Sequence, residues 1–97
     1  MDAVFRALAD PTRRALLECI ARAPVTVGKL ALQFPISQPA VSQHLRILRD
    51  AKLVNVQKDK NQRLYSLRNE GLLAVRDYLD RYWTDVMDSF QSGVELE

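Results

Sequence analysis

The sequence predicts a mainly α-helical domain carrying one small antiparallel β-hairpin, with five helices and two strands in all. Three observations predict it. Apolar residues recur every three or four positions over most of the chain, the period of a helix with one buried face. Between Leu53 and Arg68 the pattern changes to alternation, with Val54 and Val56, then Tyr65 and Leu67, separated by polar residues. Two short helical stretches near the middle are parted only by Phe34-Pro35-Ile36. At 97 residues the chain suits one domain, expected over 1–92 with a frayed tail at 93–97. So small a core gains from assembly with a second copy.

The elements follow in order. Met1 to Ala9 forms a short helix with Val4, Phe5 and Leu8 on one side. Asp10-Pro11 starts the next, since aspartate caps and proline fits the first helical position. It runs to Ala23, places Leu16, Cys19, Ile20 and Ala23 inward, and stops at Pro24. Cys19 is read as an inert core thiol, and a single cysteine forms no internal disulfide. Thr26 caps a third helix reaching Gln33, with Val25 and Leu30 as its staple. Ser37 caps a fourth, where Pro39 sits harmlessly in the first turn and Ile36 staples Val41. Two helices joined so tightly make a helix-turn-helix, in which the first braces and the second is presented to a DNA groove.

The presented helix, taken as 38–52, sets Val41, Leu45 and Leu48 inward and Gln38, Ser42, Gln43, Arg46 and Arg49 outward. Short polar side chains near such a start can reach base edges, and arginines further on can reach phosphate or guanine. The hairpin that follows, 54–68, turns at 58–62 with Asn61 as the carrier of positive φ, and would be a wing that brings Lys58, Lys60 and Arg63 to the DNA backbone. From Ser37 to Arg68 seven Lys/Arg face two acids, a net charge of +5, although the whole chain carries only +2. Such a basic middle is an electrostatic footprint for a polyanion. The candidate DNA-binding residues are therefore Ser37, Gln38, Pro39, Ser42, Gln43, His44, Arg46, Arg49, Lys58, Lys60 and Arg63. His44 is expected to face DNA or to support the residues that do.

Asn69 caps the last helix. Leu72, Val75, Leu79, Tyr82, Trp83, Val86 and Phe90 form its stripe over about 22 residues, or ~33 Å, more than so small a core needs. With Val4, Phe5 and Leu8, these residues are the candidate dimer interface. The segment beyond Asn69 has net charge −5 and should turn away from DNA.

Other classes are disfavoured. No apolar run is long enough to span a bilayer, no secretory signal opens the chain, and a cytoplasmic setting is expected. There is no glycine-rich phosphate loop, and His44, the one histidine, has no nucleophile or carboxylate at triad spacing. No enzyme activity, cofactor or metal site is expected. A winged-helix module for protein–protein interaction is the main alternative, against which stand the basic middle and the polar outer face of the presented helix.

Ala7-Leu8-Ala9-Asp10-Pro11-Thr12-Arg13 resembles the opening of the ArsR/SmtB family of bacterial winged-helix repressors. Ser37-Gln38-Pro39-Ala40-Val41-Ser42-Gln43-His44-Leu45 with Leu48-Arg49 is similar to its recognition helix, and Arg63-Leu64-Tyr65-Ser66-Leu67 to its second wing strand. These blocks occur in family order over nearly the whole chain. The resemblance implies a homodimer joined by its first and last helices, bound to a near-palindromic operator and released by a signal, a small molecule or a protein. It does not carry the family's metal sites. Val25-Thr26-Val27-Gly28 replaces the Cys-x-Cys pair of one, and 75–88 lacks the histidines of another. The chain looks closer to the metal-independent members. Lys52 and Asn61 stand where the family usually has glycine, and a left-handed Lys52 would cost ~1–2 kcal/mol.

Overall fold

The computed structural model describes residues 1–91, so the tail expected at 93–97 lies outside the described residues. The helices are α1 (Asp2–Leu8), α2 (Pro11–Arg22), α3 (Val27–Gln33), α4 (Gln38–Asp50) and α5 (Asn69–Gln91). The strands are β1 (Val25–Thr26), β2 (Val54–Asp59) and β3 (Gln62–Leu67). All five expected helices are present. The sheet, however, has three strands in the order β1-β3-β2, not two. Val25 and Thr26, read from sequence as the start of a helix, pair antiparallel with Tyr65 and Leu64 before α3 begins. A two-residue strand is too short to show a period, and tertiary pairing decides its conformation.

Local chemistry sets the boundaries. The Asp10 carboxylate accepts from the N–H groups of Thr12 (2.8 Å) and Arg13 (3.1 Å), and Pro11 opens α2. Those two N–H groups, Arg13's above all, hold the Asp10 carboxyl below the usual aspartate range. The Thr26 and Ser37 hydroxyls cap α3 and α4, each accepting a backbone N–H at 3.3 Å, from Lys29 and Ala40. Asn69 is the first residue of α5, not a residue preceding it.

Leu16, Ile20, Leu30, Val41, Leu45, Leu48, Leu53 and Val54 are fully buried. At ~1.5–3 kcal/mol each, their burial is the main force holding the helices around the sheet. No polar side chain is buried among the described residues. Val4 lies in this core at 3% exposure, so it cannot present itself to a partner as expected. Cys19 is half-buried with its thiol 3.8 Å from Gln33 Oε1, while Ala23, expected inward, is exposed past the end of α2.

The hairpin is tighter than expected. Lys58 faces Arg63 and Asp59 faces Gln62, which leaves only Lys60 and Asn61 in the turn. Lys60 carries the positive φ (59°), not Asn61. Lys52 is left-handed (φ 62°), as the missing glycine suggests.

Candidate nucleic-acid interface

α4 is fixed from its inner side. Val41, Leu45 and Leu48 are fully buried, so the positions between them must point outward. Gln38, Pro39, Ser42, Gln43, Arg46 and Arg49 are all exposed, as is Ser37 at the cap. His44 differs. It is half-buried on the flank of the helix, with Nδ1 3.4 Å from the Arg13 guanidinium of α2. That position suits the supporting role, away from the exposed row.

The wing meets the start of α4 across an open cleft of about 450 Å³. Gln38 and Ser42 line one side, Asn61, Gln62 and Arg63 the other, and Thr26, Val27 and Gly28 the floor. Lys58 and Arg63 stand directly opposite each other on β2 and β3, on the sheet face that holds Val54, Val56, Tyr65 and Leu67. Like charges so placed repel and cost stability in the free protein. An anion between or beside them removes that cost. Lys60 extends the positive charge to the exposed tip. Of the residues lining this cleft, sequence reasoning singled out Gln38, Ser42, Asn61 and Arg63 but not the floor, because the β1–β3 pairing that places Thr26 to Gly28 there leaves no periodic trace.

The far end of α4 is locked to α5. The N–H of Leu53 donates to Leu48 O, that of Arg68 to Leu53 O, and that of Gly71 to Lys52 O (2.9 Å). Glu70 bridges the Lys52 ammonium (3.1 Å) and the Arg68 guanidinium, and those two cations, Lys52 first, hold its carboxyl below the usual glutamate range. α4 thus ends on the base of the long helix.

Among the described residues, the outer part of that long helix carries much exposed apolar surface. Leu72 and Val75 pack on the core, and Phe5 of α1 meets Tyr78 edge to face with ring centroids 6.0 Å apart. Beyond them Leu79, Tyr82, Trp83 and Phe90 are 50–62% exposed. Val86 is half-buried, and Leu8 rests against the core. Leu73 and Tyr78, which sequence reasoning did not single out, add to the exposed apolar surface.

A helix-turn-helix domain family matches residues 8–57, the span from the end of α1 to the middle of β2. The chain is 44% identical over 96 residues to the HTH-type transcriptional regulator Rv2034 of Mycobacterium tuberculosis, covering 99% of this chain and 90% of that one. A crystal structure of an ArsR family transcriptional regulator superposes with a TM-score of 0.81 at 33% identity, over 91% of this chain and 90% of the other. The chain belongs to the ArsR family. It is a DNA-binding transcriptional regulator and not an enzyme. The transcriptional repressor SdpR of Bacillus subtilis is 38% identical over 75% of this chain and 80% of its own length. The arsenical resistance operon repressor of Staphylococcus xylosus is 30% identical over 82% of this chain and 77% of its own. An ion of the kind that last name suggests wants thiolate or imidazole donors. Cys19 and His44 point to different neighbours, Gln33 and Arg13, and no group of three or more His, Cys, Asp or Glu converges among the described residues.

Proposed function

We propose that this regulator is a homodimeric repressor that holds a near-palindromic operator through the outer row of α4 and the wing. The opposed Lys58–Arg63 pair beside the Gln38–Ser42 edge carries the reading, because it is a repulsive arrangement in the free protein that a phosphate backbone relieves. Gln38, Ser42 and Gln43 read bases, while Arg46, Arg49, Lys58, Lys60 and Arg63 contact phosphate. Ser37 and Pro39 shape the start of the helix and bring its first N–H groups to the backbone. The exposed aromatic stripe of α5, continued by Phe5, is the dimer face. Two-fold symmetry then spaces the half-sites by about one DNA turn, ~10–10.5 bp, or a multiple.

Metal ions do not control the repressor on this reading, since the ligand types are few and scattered within the subunit. Its effector is a small molecule or a protein. It acts in the cytoplasm, and no helix among the described residues is long and apolar enough to cross a membrane.

Selection of bound duplexes from a random pool tests the reading. A two-fold symmetric motif is expected, with one position per half-site relaxed by ~1–3 kcal/mol in Gln43→Ala. Equal retention of all sequences, or an affinity for the selected duplex that falls tenfold or more with zinc, cadmium or arsenite, would overturn it.

A further inference from the structure

One guanidinium joins three elements behind the recognition helix. Arg13 Nε donates to Ala7 O (2.8 Å) and Nη2 to Arg6 O (3.1 Å), both at the end of α1. Its Nη1 lies 4.0 Å from the Asp10 carboxylate and 3.4 Å from His44 Nδ1 on α4. The side chain is only 15% exposed. A guanidinium can donate but not accept, so a hydrogen bond at this contact uses His44 Nδ1 as the acceptor. One turn to either side of His44 on α4 stand Ala40, Val41, Ile47 and Leu48, which are apolar. Arg13 is therefore the polar partner of the imidazole, and Asp10 is the anion beyond it. Arg6 of α1 contributes its carbonyl, and its side chain is exposed.

We propose that Arg13 is a positioning residue for operator binding, acting through His44 to set the angle at which α4 is offered to DNA. α1 supplies the fixed end of this strut. Its Phe5 rests on Tyr78 of α5, so the contacts run unbroken from the long helix to the reading helix. Protonating His44 removes the acceptor and sets two cations side by side. The strut opens, and the helix loses its fixed angle. His44 is the one histidine in the chain, so a change in binding between about pH 7 and pH 5.5 that His44→Gln abolishes reports on it.

The sign of that change separates two roles. A histidine that touches phosphate binds tighter when protonated, and one that holds Arg13 binds weaker. The inference rests on the operator-binding reading above, and the experiment keeps the two apart. Affinity for a selected duplex and for random duplex is measured at constant ionic strength across this pH range. Wild type should lose about tenfold on the selected duplex at the acid end and keep its grip on random duplex. His44→Gln, which offers an acceptor without a titrating proton, should bind the selected duplex equally at both ends of this pH range. Arg13→Lys keeps the charge but cannot span α1 and His44, and should lose about tenfold on the selected duplex alone. Tighter wild-type binding in acid, or a pH profile unchanged by His44→Gln, would overturn the inference whether or not Arg13→Lys folds. No preference for any duplex at any pH would overturn the operator reading, and this inference with it.

Discussion

Gly71→Ala tests the joint between the two functional halves of the molecule. A Cβ built on Gly71 would stand 2.6 Å from Ala51 O, 3.0 Å from Lys52 O and 3.1 Å from Leu53 Cδ2. Two of these neighbours are backbone, and Lys52 O already accepts the Gly71 N–H at 2.9 Å. Neither can swing aside as a side chain would, so the start of α5 must lift. Overpacking of this kind costs about 1–3 kcal/mol. Loosening the Gly71–Lys52 hydrogen bond adds about 1 kcal/mol. Alanine returns about 0.5–1 kcal/mol, because glycine loses more chain entropy on entering a helix. The net loss is about 1–3.5 kcal/mol. In a domain of 97 residues that lowers Tm by about 4–28 °C. The assay is thermal unfolding by circular dichroism at one fixed protomer concentration, since a dimer's Tm depends on concentration. A fall of less than about 3 °C would refute the packing argument and mean that α5 is free to slide on the end of α4.

Four further outcomes are expected. Lys60→Gly should raise stability by about 0.5–1 kcal/mol, because glycine carries the φ of 59° without strain, yet weaken DNA binding and flatten its salt dependence by about one phosphate per subunit. Lys58→Ala should stabilise the free protein by about 0.2–1 kcal/mol by relieving the pair with Arg63, while weakening selected and random duplex alike; lower stability in urea titration would count against the repulsion. Tyr82→Glu with Trp83→Glu should leave monomers in light scattering and abolish tight operator binding, and a dimer of unchanged mass would remove α5 from the interface. Asp10 has its folded pKa lowered, so its contribution is complete above the ordinary carboxylate range and is lost as pH falls through that range; Asp10→Asn keeps a capping oxygen, should lose less stability than wild type between about pH 5 and pH 2, and a parallel loss would mean that the charge on Asp10 adds nothing.

Much of this molecule could be read before it was seen, for reasons that differ by element. α2, α3 and α4 announced themselves through Asp10, Thr26 and Ser37, whose caps act within three residues and need no tertiary context. The apolar stripe of α4 was equally local, since burial at 41, 45 and 48 follows from helical period alone. The misses depend on partners distant in sequence. β1 exists because Tyr65 and Leu64 lie beside it. Val4 has the same hydropathy whether it faces a core or a second subunit, and only packing distinguishes them. Lys60 and Asn61 exchanged roles because strand register, not residue preference, decides which of them enters the turn first. Arg13 follows a cap in sequence, and nothing along the chain connects it to His44, 31 residues away.

The β1–β3 pairing reaches beyond the count of strands. Thr26 caps α3 and, in the same conformation, is laddered to Leu64 of the wing. The bracing helix and the wing are thereby parts of one rigid bracket, with α4 set into it by its buried stripe. Widening or narrowing the gap between the Gln38–Ser42 edge and the basic edge of the wing works against that ladder. Such a bracket works as a fixed gauge: a duplex whose groove width differs from the gauge must itself deform. Sequence preference should then extend to base pairs the side chains never touch, favouring flexible pyrimidine–purine steps beneath the wing. Indifference to those steps among selected duplexes would mean that the bracket yields instead.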